Sequence, residues 1–211
     1  MADGAASTSR EIGERLRAIA REAAVPSTEL VEGGLTTAIP ELAALAGTPQ
    51  DPSWHPEGDV LVHSLWAADL AARHAESDGV EPDRRELLVL AALLHDVGKP
   101  DTTRPRNGRI TSYGHAERGA LIVGRLGRRL RLPDALTRAI AEIVGAHMAH
   151  VSVQGAPSRK AVRKLVARLT DAGTSLEDWA VVVRCDGEAR GAAARPDASI
   201  PWTRVATELG D

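Results

Sequence analysis

Phenylalanine is missing from this 211-residue chain, tyrosine occurs once, and aromatic residues make up 2% of it. So few flat rings argue against the stacking platforms on which proteins hold single-stranded nucleic acid. Cysteine is nearly absent: Cys185 stands alone, so no internal disulfide forms and no set of thiolates is available for a structural zinc site. Any metal must therefore be held by histidine and carboxylate. No run approaches the roughly 18 consecutive apolar residues that span a bilayer, and the first residues carry no apolar signal segment. A cytoplasmic protein with no membrane partner is expected. An excess of positive charge is also lacking, since 26 Lys and Arg face 29 Asp and Glu for a formal net charge of -3. Nucleic acid is admitted as a partner but not favoured.

What the chain does have is helical periodicity, with almost no alternation of strand type. The length suits one core with appendages. The reading is an all-α fold: a single helical bundle with a short N-terminal helix and an irregular C-terminal tail. A small, polar lead over 1–9 is expected to be disordered, and 10–50 to form a helical extension whose first helix covers 11–24. The main domain is placed at 51–195 and the tail at 196–211. Within the main domain Asp59 reads as the N-cap of a helix reaching 76, and a buried helix follows Pro82. Pro105 and Asn107-Gly108 mark an exposed loop or small hairpin over 101–112. Further helices are expected over 114–130, 133–149, 158–169 and 176–194.

The most informative feature is the pair His95-Asp96 at the end of the apolar run Leu87-Leu88-Val89-Leu90-Ala91-Ala92-Leu93-Leu94. A helix apolar on all sides belongs in an interior, so the run carries an imidazole and a carboxylate to the edge of the core. A carboxylate leaving water loses several kcal/mol of solvation unless a cation or hydrogen bonds compensate. His63, His115, His147 and Asp186 lie in other helical segments and can converge on the pair, and such nitrogen and oxygen donors make a divalent-metal site. His150, one turn beyond His147, is an alternative ligand. His74 reads as an ordinary surface histidine, and His55, beside Pro56 in a loop, reads as a brace. Lys99, Arg118 and Arg190 are candidate phosphate contacts. The Arg-rich runs 125–131 and 159–168 read first as solvated helix faces and second as RNA contacts.

The order His63, His95-Asp96, Asp186, with helices between, resembles the HD-domain metal-dependent phosphohydrolases. The likeness is closer to one branch, the HD domain of bacterial tRNA nucleotidyltransferases, the CCA-adding enzymes. It is carried by the runs Pro40-Glu41-Leu42-Ala43-Ala44-Leu45, Trp54-His55-Pro56-Glu57-Gly58-Asp59-Val60, Gly114-His115-Ala116-Glu117-Arg118-Gly119, Ala161-Val162-Arg163-Lys164-Leu165 and Arg184-Cys185-Asp186. No paired-carboxylate strand motif precedes this region and there is no space for the nucleotidyltransferase head, so CCA addition is not expected of this chain itself.

The resemblance implies that His63, His95, Asp96 and Asp186 hold one divalent ion and that His115 and His147 add a second. Mn, Ni, Co, Fe, Mg and Zn all suit such donors. Asp96 and Lys99 become the catalytic candidates, and Lys99, Arg118 and Arg190 the substrate contacts. The expected activity is hydrolysis of a phosphomonoester or cyclic phosphodiester, of a nucleotide as the resemblance implies, by metal-activated hydroxide. No Ser, Cys or Thr lies in a nucleophile motif. Two rival readings are a tRNA-binding or nucleotidyltransferase-partner module, and a di-iron HD oxygenase using the same ligands. The exact substrate and the oligomeric state are not legible.

Overall fold

A computed structural model describes residues 2–152 and 155–210. Helix α1 spans Ala2–Glu22. The lead expected to be disordered over 1–9 is thus helical from residue 2, with Met1 outside the described residues; alanine is the strongest helix former and no proline interrupts before Pro26. Three short helices follow, α2 (Pro26–Glu32), α3 (Leu35–Ala38) and α4 (Pro40–Ala43), the first and third opened by a proline in their first turn. Their buried Leu30, Leu35, Ile39 and Leu42 join the same hydrophobic cluster as the rest of the chain, so the 10–50 extension has no core of its own.

Helix α5 (Val60–Ser77) is capped as its sequence predicts, the Asp59 side chain accepting from Val62 N at 3.0 Å. Helix α6 (Pro82–Leu94) is the apolar run, buried without a break from Glu86 to Leu94. It packs against α5 and α1. The one charged residue in its buried part, Glu86, is met by Arg17 at 2.6 Å and Arg21 at 3.0 Å from α1. A one-turn helix α7 (Lys99–Thr102) leads into an antiparallel hairpin, β1 (Arg104–Arg106) and β2 (Arg109–Thr111), with Pro105 opposite Ile110. Asn107 and Gly108, both at positive φ, make its turn. Helices α8 (His115–Leu130) and α9 (Asp134–Ala146) then pack as an antiparallel pair, and α9 runs on into a 3-10 segment, His147–Ser152.

The remaining helices are α10 (Arg159–Asp171), α11 (Leu176–Glu188) and α12 (Ile200–Leu209). Helix α11 opens with a capping box between Ser175 and Asp178 and lies on α5. Buried Trp179 donates from its indole to Ala146 O at 2.9 Å, fixing α11 to the end of α9. The tail expected to be irregular over 196–211 is instead largely α12. Its Trp202 is buried with its ring centre 5.6 Å from that of Trp179, which supplies the packing that local sequence does not announce. The all-α reading holds, with a two-stranded hairpin as the exception.

Candidate metal centre

Five elements deliver the polar side chains to one place. His63 is in the first turn of α5, His95 caps the C-terminus of α6 with Asp96 in the turn that follows, His115 begins α8, His147 caps α9, and Asp186 lies in the last turns of α11. All six are buried. Contact between the His95-Asp96 turn and α8 depends on Gly98. A Cβ built there would lie 2.1 Å from His115 O and 2.7 Å from Gly119 N, so only glycine allows the two backbones to approach.

The imidazoles are turned the same way. Nδ1 of His95 donates to Ala92 O, Nδ1 of His115 to Ser112 O and Nδ1 of His147 to Val144 O, each at 2.7 Å. Nδ1 of His63 meets Glu57 Oε1, also at 2.7 Å. With Nδ1 committed, every Nε2 faces the centre and is the nitrogen that a cation would take. His63 Nε2 is 3.2 Å from Asp186 Oδ1 and 3.8 Å from Asp96 Oδ2, while His95 Nε2 is 3.1 Å from Asp96 Oδ2. His115 Nε2 lies 3.2 Å from Asp96 Oδ1 and 3.0 Å from His147 Nε2.

Two overlapping donor groups result, His63-His95-Asp96 and Asp96-His115-His147, with Asp96 common to both. Their fit to a divalent cation can be tested on the atoms themselves. His95 Nε2 is buried with no hydrogen-bond partner, while Asp96 Oδ2, equally buried, faces the Lys99 ammonium at 2.6 Å. His115 and His147 point nitrogen lone pairs at each other, an arrangement that needs a proton or a cation between them. An orphaned imidazole nitrogen beside buried carboxylate oxygens, donor types that bind borderline divalent ions, fits such an ion.

Electrostatics points the same way. Burial would raise Asp96, yet the positive charges of His95 and Lys99 and a hydrogen bond from His115 hold it well below the usual carboxylate range. Asp186 is likewise buried and likewise held low, by His63, His95 and Arg190. Burial pushes His147 down to about 3, with His115 and His95 adding repulsion. His63 and His115 are raised in spite of burial, because Asp186 and Glu57 face the first and Asp96 the second.

The other candidates divide. Lys99 Nζ is 2.6 Å from Asp96 Oδ2 and 2.7 Å from Gln50 Oε1. Arg190 holds Asp186 through Nη2 to Oδ1 at 2.9 Å and Nε to its main-chain oxygen at 3.3 Å. Both line a cleft of about 940 Å3 that opens over Asp96, His115, His147 and Asp186. Arg118 does not line it; its guanidinium pairs with Asp101 at 2.5 Å on the surface. His150 lines the cleft, but its Nδ1 donates to His147 O and it belongs to neither donor group. His74 pairs with Glu188 at 2.8 Å. His55 stands edge-on to His63, ring centres 4.9 Å apart, and shares Glu57 Oε1 with it.

Sequence reasoning missed Gln50 and the role of Glu57. Glu57 sits in a quoted motif, but a loop carboxylate six residues before His63 has no periodicity to show that it reaches the imidazole. Gln50, 49 residues from Lys99, gives no signal at all.

Comparison with known proteins agrees with this geometry. The HD domain family matches residues 60–179. Proteins named multifunctional CCA protein are similar to the chain. That of Nitrosococcus oceani is 32% identical over 160 residues, covering 75% of this chain and 36% of the relative. That of Verminephrobacter eiseniae is 33% identical over 159 residues, with shares of 75% and 36%. That of Cupriavidus metallidurans is 32% identical over 173 residues, with shares of 80% and 38%. The chain spans little more than a third of the length of these relatives.

Proposed function

The chain belongs to the HD domain family, and from that premise we propose that it is a metal-dependent phosphohydrolase cleaving a phosphomonoester or cyclic phosphodiester of a nucleotide. The observation that carries the reading is the pair of buried donor groups sharing Asp96 at the floor of an open cleft. His63, His95, Asp96 and Asp186 would hold one cation, and Asp96, His115 and His147 a second. Divalent ions bound there supply Lewis acidity toward phosphoryl oxygens and lower the pKa of a water molecule.

The chain's own residues do the rest. The four Nδ1 hydrogen bonds aim each Nε2 inward and hold the ring orientation, so that loading a cation displaces protons at Nε2 without turning a ring. Lys99, held between Asp96 and Gln50, places an ammonium at the cleft floor where it can take a phosphoryl oxygen. Arg190 fixes the Asp186 carboxylate and presents a second positive edge to the cleft. Cys185 is not a nucleophile: it is fully buried and burial pushes its thiol up.

A nucleotide is favoured over a smaller ester by the cleft's rim. Trp54 and Tyr113, two of five aromatic residues in the chain, line it and are 45% and 73% exposed. Each is paired with a guanidinium, Arg195 at 4.3 Å from the Trp54 ring centre and Arg106 at 5.5 Å from that of Tyr113. Exposed rings beside a phosphate-seeking floor suit a base attached to a phosphate. The test is metal analysis of the purified protein with a screen of nucleoside mono- and cyclic phosphates. Bound transition metal with turnover of a nucleotide supports the reading, and a metal-replete protein that cleaves none of them refutes it.

A second reading, a nucleic-acid-docking module, draws on α10. Its Arg159, Lys160, Arg163 and Lys164 are exposed and form no ion pair among the described residues, and the relatives are named as CCA proteins. A tRNA gel shift in a protein negative in the phosphatase screen would favour it.

A further inference from the structure

The four imidazoles of the centre are not backed alike. His95, His115 and His147 each give Nδ1–H to a neutral main-chain carbonyl, whereas His63 gives its own to a carboxylate, Glu57. The Glu57 side chain is fully buried. Its Oε1 also takes His55 Nδ1 at 2.8 Å, and its Oε2 has no partner. Such a group is costly to keep in an interior unless it is paired, and its two pairings are with His55 and His63.

A carbonyl fixes a tautomer; a carboxylate fixes it and also pushes electron density through the ring, making the far nitrogen a stronger donor. The His63 side of the centre therefore combines a carboxylate-backed imidazole with two carboxylates, Asp96 and Asp186. The opposite side has Asp96 and two carbonyl-backed imidazoles. The cluster His55-Glu57-His63 is not an ion site in its own right, although its donor atoms lie close together. His63 would have to offer a lone pair from Nδ1 as well as from Nε2, and a neutral imidazole has one to give.

We propose that Glu57 is a positioning residue of the metal centre: by accepting Nδ1–H of His63 it makes the His63-His95-Asp186 position the tighter of two unequal cation positions. This rests on the metal-centre reading given above, and the experiment separates the two. The full chain, stripped with a chelator, is titrated with Co(II) and followed by visible absorption in the presence of a competing chelator. The protein itself is compared with Glu57→Gln and Glu57→Ala, and long-range proton–nitrogen NMR reads the histidine tautomers.

The expected result is a two-step titration in the unsubstituted protein with His63 protonated at Nδ1. In Glu57→Gln, which preserves shape and removes the charge, the tighter step weakens by about 10–100-fold and the weaker step is unchanged. Glu57→Ala weakens the tighter step at least as much and loses the fixed Nδ1–H tautomer. If Glu57→Ala does not fold, the isosteric variant carries the test. Unsubstituted-like binding by a folded Glu57→Gln protein, or equal weakening of both steps, overturns the role of Glu57 and leaves the centre standing. Absence of Co(II) binding in the unsubstituted protein overturns the centre itself.

Discussion

Replacing Gly98 by alanine tests the link between backbone packing and the site, because the atoms nearest an added Cβ are all backbone. Its added Cβ would start 2.1 Å from His115 O, and an ordinary contact begins near 3.4 Å, so the turn and the start of α8 must separate by about 1.3 Å. Both neighbouring atoms belong to backbone, so a rotamer change cannot relieve the clash. Overpacking of this kind costs about 1–3 kcal/mol. For a chain of this length that lowers the unfolding midpoint by about 2–4 °C per kcal/mol. The larger effect falls on the centre. Asp96 lies two residues before Gly98 and bonds across this contact to His115, so the displacement opens the Asp96–His115 distance of 3.2 Å. A misplacement of about 1 Å costs about a hundredfold in rate. The assay is phosphatase turnover beside a calorimetric melt and a Co(II) titration. A G98A protein with the unsubstituted protein's turnover and affinity would refute the claim that this close approach builds the centre.

The shared ligand gives the sharpest loss. Asp96→Ala removes a donor from both groups and should cut turnover at least about a thousandfold, about 4 kcal/mol, with the far-ultraviolet dichroism unchanged; wild-type activity in metal-replete buffer would contradict it. Cations compete with protons for the same nitrogens. Because His63 and His115 are raised above their ordinary value in the metal-free protein, loading should release protons near neutrality and affinity should fall as pH drops below their raised values. Calorimetry in two buffers of different ionisation enthalpy checks this, and zero proton release at pH near 6.5 would be inconsistent with it. Trp54→Ala should raise KM for a nucleoside monophosphate by about tenfold and leave that for glycerol phosphate unchanged; equal effects on both would remove the base-stacking role.

The relation between this site and its sequence is uneven. The Leu87–Leu94 run, the Asp59 cap and the Pro and Gly stops are local signals, and each appears in the structure where local physics places it. The same holds for the Asn107-Gly108 turn. The extent of α12 is not legible in the tail, because it is stabilised through Trp202 against Trp179, a contact between residues 23 apart that leaves no periodic trace. Arg118, one turn after His115 on α8, pairs with Asp101 and does not line the cleft, a partner 17 residues away that local sequence does not reveal.

By itself the sequence determined that this is a helical chain with a buried His-Asp pair and too few thiols or rings for other chemistries, since composition and periodicity are properties of residue type and spacing. Only the tertiary structure decided which nitrogen of each histidine faces inward, that Asp96 is the common member of two donor groups, and that Glu57 and Gln50 belong with them. Those facts depend on distances of a few ångströms between segments up to 123 residues apart. Such distances follow from how helices pack and how closely backbones such as Gly98 and His115 approach, and no local pattern encodes them.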